Sequence, residues 1–342
     1  MEFPARIYEH CRQVGACPGC ANPFQVANPV TKIDPVEARQ LQKEILRLKA
    51  ERNAILLVHN YVTPVLQDVA DYVGDSLGLS RQAAKTDAPI IVFCGVNFMA
   101  ETAKILNPGR IVLIPDPNAG CSLEECCDAR DLAKIKAEHP EFFVVSYINC
   151  SSAVKALSDV ICTSGNAVQI VEHCPKDRPI LFVPDQNLGA WVAEQTHREM
   201  VLFPGYCYVH TQFTAEAVLA AKEAHPKAKV LAHPECLAEV KALADEVSST
   251  EKMLRYCKSG VADEFIVVTE FNMLHRLRKE CPGKVFHSLP VRGYEPLCKH
   301  MLKTTPAGVI QALKTLEPQI RLPEEILVKA KLPIERMLEF SN

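Results

Sequence analysis

Short runs of valine, isoleucine and leucine recur along the chain and alternate with stretches of helical spacing. The first group of runs is NAILLVH, PIIVFC and RIVLIP, with PVLQDVADYV and FMAETAKIL between them. Apolar runs without polar alternation are typical of parallel strands that are covered on both faces, and the helices between them complete βαβ units. This part of the chain is therefore predicted to fold as strand, helix, strand, helix, strand.

The same pattern occurs twice more, as EFFVVSY, PILFVP and EMVLFP and then as AKVLAH, EFIVVT and KVFHSL. A helical stretch leads into each copy: EILRLKAERN, LAKIKAEHPE and VLAAKEAHPK. Repeats of this length indicate three small domains rather than solenoid units, whose periods are about 20–50 residues. The predicted fold class is α/β, with three similar αβα domains whose parallel sheets surround a pseudo-threefold axis. The predicted division is an N-terminal extension (1–34), repeat 1 (35–125), repeat 2 (126–210) and repeat 3 with the C-terminal helices (211–342).

Polar side chains recur at matched positions of the three repeats. The first strands end at His59, Tyr147 and His233, which are 88 and 86 residues apart. A hydroxyl follows each of them 17 positions later, at Ser76, Ser164 and Thr250, and a cysteine follows by 62, 60 and 65 positions, at Cys121, Cys207 and Cys298. Functional groups gather at the carboxyl ends of parallel strands. We therefore expect these three sets of side chains to meet in one central cavity.

Composition narrows the class of protein. The 342 residues carry a formal net charge of −3 and include 48% hydrophobic and 23% charged residues. No apolar run approaches the ~18–20 residues of a membrane helix, and MEFPARIYEHCRQ lacks the apolar core of a signal peptide. No basic stripe with interleaved aromatic residues indicates nucleic-acid binding. The sequence predicts a cytoplasmic enzyme with small-molecule substrates and neither a nucleic-acid nor a membrane partner.

Fifteen cysteines in such a chain indicate reduced thiols, metal ligands or core residues rather than a disulfide framework. Seven lie in or beside apolar runs and are interpreted as small hydrophobic residues: Cys94, Cys150, Cys162, Cys174, Cys236, Cys257 and Cys281. Cys121, Cys207 and Cys298 differ because they recur at equivalent positions, so we predict that they are metal ligands. Three cysteines would leave one iron of a [4Fe-4S] cluster free to act as a Lewis acid. Such a site favours dehydration chemistry.

Several ordered motifs resemble one known family. They are VHNY, GDSL, CGVNFMAETAKIL with the following NP, SYIN, PDQNLG, PGYCYVH, HPEC, TEFNMLHRL and the C-x-x-M of Cys298 to Met301. From about Val36 to the carboxyl-terminal LPIERML, the chain resembles the quinolinate synthases, and a set of motifs this long is highly specific. The resemblance implies three αβα domains in a triangle around a [4Fe-4S] cluster. It also implies condensation of iminoaspartate (iminosuccinate) with dihydroxyacetone phosphate to quinolinate for NAD biosynthesis, with release of phosphate and water.

The resemblance also assigns residues to roles. It implies one [4Fe-4S] cluster per chain with the ligands Cys121, Cys207 and Cys298. The substrate-binding residues it implies are His59, Ser76, Tyr147, Ile148, Asn149, Ser164, His233, Pro234, Glu235 and Thr250. The catalytic residues it implies are His59, Tyr61, His233 and Glu235, with Glu235 a candidate base. Cys94, although it lies within FCGVNFM, ends a middle strand and receives no cluster role.

Ser76, Ser164 and Thr250 lie where loops are predicted to enter helices. Free amides at such junctions bind carboxylate or phosphate oxygens, which matters because the site motifs contain almost no lysine or arginine. The alternative is that all three are ordinary helix N-caps. Their common register favours a role in binding anionic substrates.

Two positions depart from the family pattern. Ser248 stands where the family usually has a glycine before the Ser-Thr pair, and Asn272 replaces the glycine after T-E-x. Because asparagine tolerates a positive φ better than most residues, we expect the second change to be absorbed. We expect Ser248 to reshape the loop of Thr250 only slightly.

The amino-terminal cysteines are harder to interpret. Cys11, Cys17 and Cys20 form C-x5-C-P-G-C, a spacing that fits a redox pair or part of a zinc site, to which Cys126 and Cys127 could contribute. The alternative, which we favour, is a loosely packed extension with free thiols.

Other functions rank below the synthase. An aconitase-like iron–sulfur hydro-lyase would use the same open iron without forming a carbon–carbon bond, and it would not require a triose phosphate. A non-catalytic metal or redox sensor would leave the His59, Tyr147 and His233 positions unexplained. Nucleotide binding by Rossmann-like domains is not supported, since no G-x-G-x-x-G follows a first strand. An aspartate-oxidising enzyme is a candidate partner that supplies the imine.

Overall fold

Three stretches of the chain each form a four-stranded parallel sheet in the computed structural model, which describes residues 1–15 and 33–341. The first unit has β1 Ala54–His59, β2 Tyr72–Gly74, β3 Ile90–Cys94 and β4 Ile111–Leu113, in the order β2-β1-β3-β4. The second has β5 Phe143–Tyr147, β6 Val160–Cys162, β7 Ile180–Val183 and β8 Met200–Leu202, in the order β6-β5-β7-β8. The third has β9 Lys229–Ala232, β10 Glu246–Val247, β11 Glu264–Val268 and β12 Val285–Ser288, in the order β10-β9-β11-β12. The predicted α/β fold with three similar αβα domains is confirmed.

Helices flank the sheets. They are α1 Ala5–Gly15, α2 Pro35–Arg52, α3 Pro64–Gln67, α4 Ser76–Lys85, α5 Asn97–Leu106, α6 Ser122–Cys126, α7 Ala129–Glu138, α8 Ser152–Leu157, α9 Ala167–His173, α10 Gln186–Thr196, α11 Ala215–Ala224, α12 Ala238–Lys241, α13 Thr250–Lys258, α14 Met273–Glu280, α15 Pro306–Thr315 and α16 Glu324–Glu339. Among the described residues, no helix combines the length and the apolar character needed to cross a membrane.

Local chemistry fixes where these helices begin and end. The Asp34 side chain accepts a hydrogen bond from the Val36 amide at 2.8 Å, and Pro35 occupies the first position of α2, where its missing amide costs nothing. The same helix ends at Asn53, which adopts the left-handed conformation with φ 48°. Asp75 and Asp185 cap α4 and α10 in the same way as Asp34. The caps therefore set the residues at which these helices begin and at which α2 ends.

Each unit contains one more strand than the sequence pattern predicts. The stretch PVLQDVADYV was predicted to be one helix, but α3 ends at Gln67 and the edge strand β2 begins at Tyr72. Asp71 accounts for the difference, because its carboxylate accepts the Leu56 amide at 2.7 Å and its own amide donates to the Leu56 carbonyl at 3.1 Å. These two bonds hold the chain against β1 and start a new strand.

The other units repeat this clamp. The Asp159 carboxylate accepts the Val144 amide at 2.8 Å, and the Asp245 carboxylate accepts the Val230 amide at 2.9 Å. Their own amides return to the same two residues at 2.9 Å. The three aspartates stand 12 positions after His59, Tyr147 and His233. The repeat therefore includes a matched set of structural residues in addition to the matched residues that line the cavity.

The C-terminal helices pack away from the third sheet. Helix α15 packs on α2, while α16 packs on α5 of the first unit and on α8 and β6 of the second. Ala330, Ile334 and Met337 of α16 are fully buried in a hydrophobic core that spans these two units. The C-terminal segment therefore joins the first unit to the second.

The N-terminal helix α1 is packed rather than loose, as far as the structure describes it. Phe3, Ile7 and Cys11 are buried in one cluster with residues of the second unit. The Phe3 ring meets the Phe203 ring edge-on at 5.3 Å. The interpretation of this segment as a loosely packed extension is therefore wrong for α1.

Candidate active site

Loops at the carboxyl ends of the three sheets surround one cavity. Twelve of the predicted site residues line it: His59, Tyr61, Ser76, Cys121, Tyr147, Asn149, Ser164, Cys207, His233, Glu235, Thr250 and Cys298. Ile148 and Pro234 do not line it. Ile148 is buried in the hydrophobic core, and the Pro234 carbonyl accepts a hydrogen bond from Lys241 at 3.0 Å. Whether these two contact substrate stays a prediction.

Three cysteines reach the cavity from three different units. Cys121, Cys207 and Cys298 each lie in the loop that follows the last strand of a unit, after β4, β8 and β12. They are partly exposed, whereas the other ten cysteines of the described residues are buried. Cys94 is one of those ten, and it does not line the cavity.

The surroundings of these sulfurs suit an iron–sulfur centre. Burial raises the pKa of all three thiols, to about 11 for Cys298, so bound metal is needed to hold them as thiolates. Backbone amides two or three residues further along hydrogen-bond to each sulfur and favour its thiolate form; they belong to Leu123 and Glu124, to His210, and to His300 and Met301. Hydrogen bonds to sulfur are a usual feature of cluster sites. Three soft sulfur donors with such support fit a [4Fe-4S] group.

Glu235 is the centre of a polar network beside the cysteines. The Tyr147 hydroxyl donates to Glu235 Oε1 at 2.5 Å, and His210 Nδ1 lies 2.7 Å from Glu235 Oε2. His233 stacks on His210 with ring centroids 4.5 Å apart. The Cys207 sulfur lies 3.3 Å from His210 Nδ1, so the network reaches a cysteine of the predicted metal site.

A continuous line of hydrogen-bonding groups joins Tyr61 to Glu235. The Tyr61 hydroxyl lies 2.6 Å from Thr269 Oγ1, and Thr269 Oγ1 lies 2.9 Å from His210 Nε2. One set of donors satisfies the whole line: Tyr61 donates to Thr269, Thr269 to His210, and His210 to Glu235. Members of this line come from all three units. The arrangement can therefore move a proton across the cavity wall.

The protonation states of the cavity follow from its burial. Burial lowers the pKa of His59 and of His233 to about 3, so both rings are neutral near pH 7. Burial alone would raise the pKa of Glu235, but its electrostatic interactions with the rings of His233 and His210 and the hydrogen bonds from His210 and Tyr147 outweigh burial and leave that pKa below its usual value. Burial raises the pKa of both Tyr61 and Tyr147. The cavity therefore offers the neutral imidazoles of His59 and His233, the protonated phenols of Tyr61 and Tyr147 and the ionised carboxylate of Glu235.

Glu270 holds the loop of Cys298 in place through hydrogen bonds. Its carboxylate accepts the Asn272 amide at 2.7 Å, Asn272 Nδ2 at 3.0 Å and the Cys298 amide at 3.2 Å. Asn272 Nδ2 also donates to the Tyr61 carbonyl at 3.2 Å. Glu270 and Asn272 thus connect the loop of Cys298 to the segment that carries Tyr61, and burial raises the pKa of Glu270 to about 8.

Asn272 is accommodated for a reason other than the predicted one. Its φ is −67°, in the ordinary right-handed region, so tolerance of a positive φ is not what allows it here. Its side chain instead gains the two hydrogen bonds to Glu270 and Tyr61. The other departure, Ser248, keeps its loop attached to β9, because its amide donates to the Ala232 carbonyl at 3.1 Å.

The three hydroxyls are not helix N-caps. Ser76 and Thr250 are the first residues of α4 and α13, one position inside the caps, and Ser164 lies two positions before the cap of α9. Thr250 Oγ1 accepts Asn60 Nδ2 at 2.7 Å, which fastens the first unit to the third. The alternative interpretation as simple N-caps is therefore wrong.

Comparisons with known proteins agree with this geometry. The family model described as Quinolinate synthetase A protein matches residues 43–339. The chain is 49% identical over 312 residues to a quinolinate synthase of Prochlorococcus marinus (strain MIT 9303), which covers 90% of this chain and 93% of the relative. It is 50% identical over 306 residues to that of Cyanophora paradoxa, covering 89% and 93%, and 49% identical over 322 residues to that of Gloeothece citriformis (strain PCC 7424), covering 93% and 100%. The chain belongs to the quinolinate synthase family. The resemblance predicted from the motifs is confirmed, and the cavity is the candidate active site of a family of enzymes.

Sequence reasoning missed several residues of this candidate site. His210, Thr269 and Glu270 belong to the hydrogen-bonded wall, and Asp75 and His300 also line the cavity. A signal existed for two of them. His210 follows Cys207 at the spacing C-x-x-H, and Glu270 comes two positions after the middle strand β11, where polar residues of parallel sheets collect.

The amino-terminal cysteines fall into two groups. Cys17 and Cys20 lie outside the described residues. Cys11 is buried against Cys126, with Cys11 Sγ 3.7 Å from the Cys126 carbonyl. Both thiols are free and buried in one apolar cluster, and a redox or zinc role for the amino-terminal cysteines stays a prediction.

Proposed function

We propose that this chain condenses iminoaspartate with dihydroxyacetone phosphate to quinolinate, releasing phosphate and water. Family membership supports the reaction. The observation that carries the proposal is one cavity that joins a cysteine from each unit to the line of groups from Tyr61 to Glu235. A cytoplasmic location and a role in NAD biosynthesis stay predictions.

Cys121, Cys207 and Cys298 would hold the [4Fe-4S] cluster, one per chain. When bound through three cysteines, such a cluster supplies a Lewis-acidic iron that can bind and polarise an oxygen of the substrate. The residues of the chain provide the remaining functions. Phe98, Met99 and Val96 form an apolar part of the cavity wall, which limits the access of water.

Helix ends and hydroxyls would bind the anionic substrates. No lysine or arginine lines the cavity among the residues that the structure describes. The free amides at the start of α4 and α13, beside Ser76 and Thr250, offer partial positive charge instead. Ser164, Tyr147 and Asn149 add hydrogen-bonding groups for carboxylate or phosphate oxygens.

Proton transfer would use both ends of the hydrogen-bonded line. Glu235 is ionised and can accept a proton from carbon or nitrogen, while Tyr61 is protonated and can donate one. The groups between them return the proton through Thr269 and His210. Neutral His59 and His233 can act as donors or acceptors at the same cavity.

Metal content and product formation test the proposal together. We expect about four irons per anaerobically purified chain, loss of the cluster in Cys121→Ala, Cys207→Ala and Cys298→Ala, and retention in the matched control Cys94→Ala. Quinolinate should form only when both iminoaspartate and dihydroxyacetone phosphate are supplied. A colourless protein, or a cluster that survives the three changes, would contradict the cysteine assignment. Turnover of a hydroxy acid without the triose phosphate would favour the aconitase-like alternative.

An aspartate-oxidising enzyme remains the proposed supplier of the imine. Iminoaspartate hydrolyses readily as an imine, so a source close to the cavity would raise the yield of quinolinate. Coupled assays with and without such an enzyme measure that gain directly. Equal yields from a free imine would remove the need for a partner.

A further inference from the structure

A cluster of side chains of metal-ligating types lies in the third unit, apart from the cavity. It consists of His225 after α11, Glu264 at the start of β11 and His287 in β12. Glu264 stands at the amino end of β11, whereas Glu270 of the cavity follows its carboxyl end. The length of the strand, roughly 13 Å, therefore separates this cluster from the cavity wall.

The donor atoms of the three side chains converge. His287 Nε2 lies 2.8 Å and His225 Nδ1 lies 3.2 Å from the same oxygen, Glu264 Oε1. All three candidate ligand atoms lie within 4.8 Å of one another. Ligands bound at about 2.0–2.1 Å to a tetrahedral zinc ion lie roughly 3.3 Å apart. The two nitrogen–oxygen distances, 2.8 and 3.2 Å, are close to that spacing.

The two imidazole rings are held in an unusual arrangement. They stack with centroids 3.6 Å apart and an interplanar angle of 21°, and both aim a nitrogen at one carboxylate oxygen. One carboxylate oxygen has two acceptor sites, so it can receive a hydrogen bond from each of the two rings. A cation placed among the three ligand atoms would use both nitrogens and the oxygen at once.

The cluster is open to solvent and has space around it. The side chains of His225, Glu264 and His287 are 35%, 29% and 25% exposed. His225 and His287 also line a surface cavity with the small side chains of Ala221 and Ala224. A metal ion could therefore enter and exchange, and a water molecule could complete its shell.

We propose that His225, Glu264 and His287 form a binding site for a divalent transition metal, with zinc as the best match. Two imidazoles and one carboxylate are borderline ligands that suit zinc, and three protein ligands leave a fourth position for water. The ion would tie the end of α11 to β11 and β12. It would therefore stabilise the third unit by binding the folded state only.

Zinc retention by the iron-loaded protein tests this site. Cluster-loaded chain is dialysed anaerobically against a small excess of Zn²⁺, and then zinc and iron are both measured. We expect one zinc per chain with unchanged iron in the wild type, and loss of that zinc in His225→Ala and in His287→Ala. The matched control is His139→Ala, because His139 pairs with Glu141 at 3.1 Å without a second histidine. It should retain the zinc.

Thermal unfolding gives a second, independent measurement. Zn²⁺ should raise the Tm of the wild type and of His139→Ala by a few degrees. It should not change the Tm of His225→Ala or of His287→Ala. Unchanged iron content in those two variants shows that they fold. Zinc that persists in them, zinc gained at the expense of iron, or no retained zinc in the wild type would each overturn the proposal.

Discussion

Glu235 is the residue at which the second and third units meet in the cavity. It receives a hydrogen bond from Tyr147 at 2.5 Å, and His210 lies within 2.7 Å on its other oxygen. A glutamine of the same shape would keep the packing but could not carry negative charge. Replacing Glu235 by glutamine therefore removes the charge and keeps the shape, which tests the proposed role of Glu235 as a base.

Glu235→Gln should lower kcat for quinolinate formation by roughly 10²–10⁴-fold, the usual contribution of a general base. The iron content should stay unchanged, because the carboxylate is not a predicted ligand. Steady-state assays with both substrates, together with iron analysis, measure the two effects. Glu239→Gln, an exposed position four residues further on, is the control and should behave like the wild type. Equal activity of the two variants would exclude Glu235 as the base.

Buried neutral histidines make stability depend on pH. The pKa of His233 is about 3 in the folded protein, against about 6.5 for an unfolded histidine. Below pH 6.5 the unfolded chain binds a proton that the folded chain does not, so the stability falls as the pH falls from 6.5 towards 3. The loss approaches about 1.4 kcal/mol for each pH unit.

The stability of His233→Gln should therefore fall less steeply than that of the wild type as the pH decreases. Thermal unfolding of the cluster-free protein between pH 7 and pH 4.5, about the range where the difference develops, compares the variants. The wild type should lose Tm more steeply than His233→Gln. The partly exposed His139→Gln should match the wild type. Parallel slopes for all three proteins would mean that His233 is not held neutral by burial.

At the scale of secondary structure, the aspartate clamps explain what the apolar pattern did not predict. Strands β2, β6 and β10 have only two or three residues and lie in short segments bounded by polar residues, so they do not show as apolar runs. The other strands lie in longer apolar runs, which were predicted because burial on both faces requires unbroken apolar residues. The period of the repeat was also visible in Asp71, Asp159 and Asp245, but a polar residue in a loop carries no signal of the strand that follows it.

Asp245→Ala should release the edge strand that leads to Thr250. Its carboxylate accepts the Val230 amide at 2.9 Å, and a lost hydrogen bond to a charged group costs about 1.5–3 kcal/mol, less where water can replace it. Hydrogen exchange should increase over 245–250, and the KM for substrate should rise. Asp87→Ala, at a fully exposed aspartate, is the control. Unchanged exchange over this segment would show that the clamp does not hold the strand.

At the scale of the whole molecule, the site exists only where three units meet. The repeat predicted that matched strand ends would converge, and they do. The joining contacts could not be predicted in the same way. Thr269 hydrogen-bonds with Tyr61 and His210, but its position is not one of the matched positions of the three repeats. Helix α16 packs on two units through side chains that lie outside the repeats. Contacts between units depend on docking angles, which local sequence patterns do not specify.

Helix α16 should therefore affect the proposed metal centre without contacting it. It packs on the first and second units, which supply Cys121 and Cys207, while Cys298 comes from the third. The three proposed ligands stand on three units, so they would hold the proposed cluster tightly only while the units stay docked. Loosening α16 should weaken the docking and let iron escape sooner, without touching a ligand.

Ile334→Ala tests this coupling, with Leu332→Ala as a control on the same helix. Ile334 is fully buried, and its truncation should cost about 2–5 kcal/mol, whereas Leu332 is 53% exposed and should cost little. Loss of iron to a chelator, followed by the decay of visible absorption under anaerobic conditions, should be faster in Ile334→Ala than in the wild type. The rate for Leu332→Ala should equal the wild-type rate. If Ile334→Ala lowers Tm but leaves the rate of iron loss unchanged, the units hold the cluster independently of α16.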